Sequence, residues 1–542
     1  MNERILELLK DLVSIDSLTS SEREREAAEY IYNFLEKIPY FKKNPELFGK
    51  REIPADPFKR ALVYGLVRGK TDKTVILTGH YDVVDSEDYG PARAYAFDIE
   101  RLPDRLRLLD IDEESKRDIE SGEWIFGRGA ADMKAGLAVC MEHLREYASN
   151  PGEGSLLFLA VPDEESYSVG MRSAVELLLE LRRRHALLYR LLIDAEPSRR
   201  ADGAQVLSVG TGGKCLPVIL VQGKKAHIRS CFDGLNPIGV LAKIFFATEL
   251  SAECIDVYEG EAAPPPTWAF FKDMKEIYDA SVPLQAAGYL SALGFYTTPG
   301  QILERLCAIA RTAFADYLSE MRGHYEDYRA KSAFEIRDFH MRPRVFSFSE
   351  LKAKCAQEDA AGFPPFYEAL YGDIAKKLQA KALNYPQATI LAMRELLSFA
   401  RITSPCAVIG FAPPLYPPML SERLPGRERE AVRCFERLRS DSRELYGIDM
   451  VKEYYSVGLS DCSYCAVDSA FAGEDVYSEN TPLWGELYNI DFSAIRRLNV
   501  PAVLFGPYGK DFHQCTERVS RFDLCERIPE LMRRVCAFVF EQ

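Results

Sequence analysis

Strand-like and helix-like segments alternate along residues 1–205, and this alternation limits the fold more than any single residue does. ALVYGLV (61–67), TVILTGHYDVV (74–84), SLLFLAVP (155–162) and LLYRLLIDA (187–195) are short apolar runs between turn residues, which predicts buried strands. Residues 2–13, 21–37, ADMKAGLAVCMEHLREYA (131–148) and RSAVELLLELRRRH (172–185) place apolar side chains at helical spacing instead. Thr19-Ser20-Ser21 opens the second of these helices, with Glu24 available for a capping arrangement. Strands and helices in alternation predict an α/β domain built on a mostly parallel sheet.

That pattern stops and later resumes. Residues 206–424 hold a strand bracketed by glycines (GTGGKCLPVILVQG) and a helix over 237–250. A Pro- and aromatic-rich stretch follows, then charged helical segments at 299–332 and 366–402, and the strand CAVIGFAPP. Residues 425–542 return to the first grammar: a helix (427–446), the loop GLSDCSYC, the strand VPAVLFGP, a histidine loop and a last helix (522–540). A chain of 542 residues is too long for one core. The expectation is an α/β domain formed by 1–205 and 425–542, interrupted by an inserted α+β domain with extra helices, with a boundary near 413–426.

Charge narrows the function classes. Lys and Arg number 68 against 82 Asp and Glu, a net charge of −14, which argues against a nucleic-acid surface or a basic membrane-binding tract. The segment MNERILELLKDLVSIDS lacks the apolar core of a signal peptide, and no segment approaches the ~20 apolar residues of a membrane span. Thirteen cysteines without a regular framework fit reduced thiols in a cytoplasm.

The chemistry-bearing residues stand at or just after the apolar runs. His80 and Asp82 lie two apart on a predicted strand and would share a face; Asp82 is then placed to fix the tautomer of His80. Asp132 follows the small residues of GRGAA and opens a predicted helix, so it reads either as an N-cap or as a carboxylate able to bridge two cations. No GK[ST] pattern supports a phosphate loop. Glu164 and Glu165 are adjacent and would point apart in extended chain, one able to ligate and the other to face water; a solvated acidic turn is the plain alternative. Glu196, in AEPS, has a rival ligand in Asp194. His513 occupies a Gly/Pro-rich loop. His143, His185, His324 and His340 read as structural, whereas His227 stands at a strand end in the inserted domain. Each residue has an ordinary structural reading by itself. Together, two imidazoles and three or more carboxylates are a donor set for a pair of divalent metals, with an acid to spare for proton transfer.

The motifs TGHYDVV, GRGAADMKAG, PDEES, AEPS, GKKAHIRSCFDGLNPI, GLSD and FGPYGKDFHQCTE resemble those of the co-catalytic zinc aminoacylase/carboxypeptidase family. That family includes acetylornithine deacetylase, succinyl-diaminopimelate desuccinylase and glutamate-releasing carboxypeptidases. Within it, the length and the enlarged middle look most like the arginine-utilization branch of predicted deacylases. The resemblance implies a zinc-peptidase-type catalytic domain interrupted by a lid and dimerisation domain. It implies one metal at His80 and Glu196, the other at Glu165 and His513, and Asp132 between them. Asp82 would orient His80, and Glu164 would move the proton. His227 would stabilise the oxyanion, often from the partner subunit of a homodimer, and Asn236 would help bind substrate. Zinc is the expected metal, with cobalt or manganese able to use the same donors.

Two departures stand out. The lid strand VPLQAAGYLSALGFYTTP carries no arginine for a substrate carboxylate, which leaves Arg229, Lys224 or Lys225 as candidates. The Ser-Asp element runs on to Cys462 and Cys465 rather than to arginine; a third metal or a redox pair there is disfavoured, because no second CxxC accompanies it. The expected activity is hydrolysis of an amide in a small molecule or short peptide. Deacylation of an N-acyl amino acid, in arginine catabolism, is the first reading; a dipeptidase or carboxypeptidase is the second. A non-catalytic member would usually have lost a ligand or the base, and neither is missing here.

Overall fold

A computed structural model of the chain describes residues 3–331, 341–456, 460–468 and 471–542. The chain divides into two compact units, one of Met1–Gly212, Pro418–Ser469 and Asp491–Gln542, the other of Gly213–Pro417 and Ala470–Ile490.

The first unit is built on a twisted sheet with strand order 48–52, 61–67, 155–161, 73–80, 188–194, 502–504, 204–208, 450–453. Its four middle strands, Ser155–Val161, Lys73–His80, Leu188–Asp194 and Ala502–Leu504, run parallel. The strand Phe48–Glu52 and its neighbour Ala61–Val67 are antiparallel additions at one edge. Every residue of Ser155–Val161 and all but the first of Lys73–His80 are buried, as expected of parallel strands covered on both faces. A small antiparallel sheet of Gly509–Lys510, Arg518–Ser520 and Trp124–Phe126 joins the loop of His513 to the segment that leads into Asp132.

Several boundaries differ from the sequence expectation, each for a local reason. The strand predicted over 74–84 ends at His80, whose last ladder partner is Val161. The helix predicted from 131 begins at Ala135, because residues Ala130–Lys134 form a wider turn. Glu24 accepts the backbone N–H of Ser21 but lies buried against Arg60, so the helix starts at Glu24 without a reciprocal cap.

In the second unit a five-stranded sheet runs 267–273, 285–294, 213–222, 406–416, 344–347, antiparallel except for the last pair. All eleven residues of Cys406–Tyr416 are buried. Helices Phe348–Glu358, Phe363–Gln379 and Tyr385–Phe399 cover one face of it through Leu351, Phe363, Ile390, Met393 and Leu396. The segment expected to be helical over 366–402 is broken where Lys381 takes a left-handed φ of 54° and Asn384 caps the next helix. Residues 470–490 belong to this unit, because Tyr477 donates to the Ala412 carbonyl and the Asn480 carbonyl accepts from the Phe411 N–H.

Candidate metal centre

The parallel strands end on one side of the sheet, where ligands of open α/β sheets bind, and each releases a donor there. His80 is the last residue of its strand. Val161 leads into a turn that carries Glu164 and Glu165. Glu196 follows the strand that ends at Asp194, and His513 lies beyond Ala502–Leu504. Asp132 comes from the wide turn before Ala135–Ser149, with φ −110° and ψ 100°. Its backbone is extended rather than helical, and the cap position of the following helix falls to Lys134.

Two glycines make that turn possible. Gly129 has φ +72°, and a Cβ on it would meet the Val83 side chain at 2.4 Å. A Cβ on Gly136 would stand 1.9 Å from the carbonyl oxygen of Ala195, so only glycine lets the helix start lie against the backbone that carries Glu196.

Asp132 turns one oxygen to each imidazole. Its Oδ1 is 3.1 Å from Nε2 of His80, and its Oδ2 is 3.4 Å from Nε2 of His513. Glu196 stands 3.6 Å from Nε2 of His80, and Glu165 stands 3.1 Å from Nε2 of His513. Donor atoms of His80, Asp132 and Glu196 lie within 4.8 Å of one another, as do those of Asp132, Glu165 and His513. Glu164 reaches to 3.8 Å from Nε2 of His80 and also falls in a cluster with His80 and Glu165. The two glutamates sit in a turn rather than in extended chain, and their carboxylates converge on His80 instead of pointing apart.

Asp82 lies beyond the strand end yet still meets His80. Nδ1 of His80 is 3.0 Å from the Asp82 carbonyl oxygen and 3.4 Å from its Oδ1, which leaves Nε2 for the centre. The same carboxylate accepts the backbone N–H groups of Glu164 and Glu165 at 3.1 and 3.2 Å. Asp194 is in none of these clusters: its Oδ2 accepts from Ser460 Oγ and Cys462 Sγ, and burial raises its carboxyl to about 6. Cys462 and Cys465 are buried free thiols outside the metal-competent clusters found among the described residues. Gly458 and Leu459 of the GLSD motif, and His340, lie outside the described residues.

The electrostatics of the donors fit divalent cations. Burial pushes Glu164 and Glu196 well above the ordinary carboxylate range, and neighbouring carboxylates add to the rise against the pull of His80. Hydrogen bonds with Asp132 and Glu165 raise His513 to about 10. Burial opposes a charge on His80, but Asp132, Asp82 and Glu196 outweigh it and raise its pKa. Acids that cannot all ionise side by side, and imidazoles that must charge to hold them, are relieved together by bound cations that leave the rings neutral.

His227, Arg229 and Asn236 belong to the inserted unit. His227 is exposed, and its Nδ1 accepts the Arg229 N–H at 3.1 Å. Arg229 and Lys224 are exposed, and Lys225 pairs with Asp279. The Oδ1 of Asn236 accepts the Ile238 N–H and caps Pro237–Thr248. Four residues have a place around the centre that the sequence reading did not give them, Glu24 having been read there only as a helix cap. Arg128 and Glu517 lie inside the GRG and CTE stretches of the motifs quoted above. Arg60 and Glu24 hold the turn before Glu164: Arg60 pairs with Asp163 and Glu24, and Glu24 accepts the Asp163 N–H.

Residues 76–539 match the family model described as Peptidase family M20/M25/M40. Over the whole chain the sequence is 31% identical to the uncharacterized protein YqjN of Bacillus subtilis, covering 97% of that protein. It is 26% identical to Protein RocB of Bacillus subtilis, over 99% of this chain and 95% of that one. Succinyl-diaminopimelate desuccinylase of Psychrobacter is 30% identical over 32% of this chain and 38% of its own. Among solved structures, a tripeptidase from Staphylococcus aureus superposes with a TM-score of 0.53 at 14% identity, covering 100% of this chain and 99% of that one. An M20 family metallo-carboxypeptidase from Sulfolobus solfataricus gives 0.52 at 13%, covering 99% and 100%. These two likenesses concern the fold. The chain belongs to the peptidase family M20/M25/M40 and is a metal-dependent hydrolase.

Proposed function

We propose that the chain is a two-cation amidohydrolase that removes an acyl group from an N-acyl amino acid or a related amine. The observation that carries this reading is the placing of Asp132, with one oxygen toward His80 and Glu196 and the other toward Glu165 and His513. Two divalent cations in those positions would acidify water and polarise the carbonyl of an amide. Zinc suits the mixed imidazole and carboxylate donors, and cobalt or manganese would fit them too.

The side chains have separate tasks. Glu164, not needed to complete either cluster around Asp132, takes a proton from the attacking water and returns it to the leaving nitrogen. The raised carboxyl of a buried Glu164 suits both steps. Asp82 keeps Nε2 of His80 turned inward and holds the Glu164–Glu165 turn by two amides. His227 would donate to the oxyanion, with Arg229 and Asn236 contributing to substrate binding. The Thr267–Asp273 strand forms an edge of the inserted unit's sheet, and Phe246 of the nearby helix is 81% exposed; both features support a homodimer. No helix among the described residues is long and apolar enough to cross a membrane. In this reading the enzyme works in the cytoplasm, and the motifs it shares with the arginine-utilization branch favour a substrate from arginine catabolism.

Deacylation is preferred to peptide cleavage because the matched desuccinylase shares sequence with this chain, whereas the peptidase structures share only the fold. Release of free amine from N-acetyl and N-succinyl amino acids, measured beside di- and tripeptides, tests the choice. Faster turnover of the acylated amino acids supports it; faster cleavage of the peptides replaces it with a dipeptidase or carboxypeptidase.

A further inference from the structure

We propose that Arg128 and Glu517 form a positioning pair that sets the distance between Asp132 and His513. The inference rests on the two-cation reading above.

Both side chains are buried, each 1% exposed, and they meet at 2.9 Å between Nη1 and Oε2. The other carboxylate oxygen of Glu517 accepts the backbone N–H groups of Ala131 and Asp132 at 3.0 and 3.1 Å. Its own carbonyl accepts the Gly127 N–H. Glu517 thereby holds the turn that presents Asp132. Arg128 holds the other side: Nη2 donates to the His513 carbonyl at 3.4 Å and to Asp88 at 2.7 Å, and Nε donates to the Asp85 carbonyl. His513 stands on the loop between Gly509–Lys510 and Arg518–Ser520, and the latter strand pairs with Trp124–Phe126. One ion pair thus ties together two loops that are far apart in sequence and meet at one metal position.

The two partners have different reach. Arg128 bonds the backbone of a donor residue itself only at His513, and on the segment that follows His80 it reaches Asp85 and Asp88 rather than His80, so its loss should weaken mainly one cation. Glu517 supports Asp132, which both positions share, so its loss should weaken both. Neither residue is a ligand or touches the reacting atoms, and a structural role alone would not produce this asymmetry. Removal of a group that orients a metal ligand typically costs about 10- to 100-fold in metal affinity.

Zinc binding is measured by equilibrium dialysis on the full chain and on Arg128→Met, Arg128→Lys, Glu517→Leu and Glu517→Gln, with thermal midpoints recorded in parallel. Arg527→Met is the control, since Arg527 is another fully buried arginine paired with an acid, Asp523. The expected result is one tight and one weakened zinc for Arg128→Met and two weakened zincs for Glu517→Leu. Arg128→Lys should fall between Arg128→Met and the parent. Glu517→Gln, which keeps an oxygen for the two amides, should stay near the parent, as should Arg527→Met despite a comparable loss of thermal midpoint. If Arg128→Met fails to fold, Arg128→Lys carries the comparison. Two zincs of parental affinity in the Arg128 variants, or an equal loss in Arg527→Met, overturn the proposal alone. A parent protein that binds fewer than two zincs overturns the two-cation reading and this inference with it.

Discussion

Gly136 lies under Ala195 so closely that a Cβ on it would stand 1.9 Å from the Ala195 carbonyl oxygen. The neighbour in the way is backbone, and the next residue along is Glu196. Gly136→Ala should therefore cost about 1–3 kcal/mol of stability from overpacking and also push Glu196 off His80. Urea unfolding and zinc titration of the variant check this. A variant with parental stability and parental metal affinity would show that the helix start can shift freely.

Arg60 stands among acids beside the Glu164–Glu165 turn. It pairs with Asp56, Glu24 and Asp163, and all four side chains are at most 5% exposed. Burial, with Asp82 close by, raises Glu24 to about 9 despite the pull of Arg60. Arg60→Met removes the cation that these acids share, a change that typically costs about 3–5 kcal/mol when a buried pair is broken. The expected readout is a large fall in the denaturation midpoint, and a fall of under about 1 kcal/mol would fit an exposed pair instead.

His143 gives the fold an acid sensitivity outside the metal centre. It is 6% exposed, neither ring nitrogen has a hydrogen-bond partner, and burial, helped by Arg533, lowers its pKa from 6.5 to about 4. The unfolded chain therefore takes up a proton before the folded one does. Stability from this group is intact above 6.5 and is lost as pH falls toward 4. Between pH 7 and pH 5 the loss should be about 2 kcal/mol. His143→Leu removes it, so the gap between the two unfolding midpoints should change in the variant's favour on acidification. Parallel pH profiles for parent and variant would rule this out.

The first unit is legible in the sequence because its strands are short apolar runs and its candidate donors sit where those runs end. That rule picks out His80, Glu164, Glu165, Glu196 and His513, and their side chains lie in neighbouring clusters. The order of the strands is not legible, since it depends on pairings between residues far apart in the chain. Asp132 is misread as a helix start because its local sequence, ADMKAGLA, is helical, whereas Glu517 captures its backbone N–H from a distant loop. Arg128 and Glu517 escape for a related reason: an arginine and a glutamate that far apart carry no sign of being buried against each other. Residues 470–490 join the inserted unit through Tyr477 and Asn480, and nothing in their composition separates them from the flanking chain. The break at Lys381–Asn384 interrupts what composition alone presents as one long helix.

Cation content and turnover of Glu164→Gln, measured on one preparation beside the parent, test the central claim most directly. The account predicts two divalent cations per chain in both proteins and a loss of amide hydrolysis of at least about 10²-fold in the variant. Parental turnover without the Glu164 carboxylate, or a parent protein that holds no pair of cations, would contradict it.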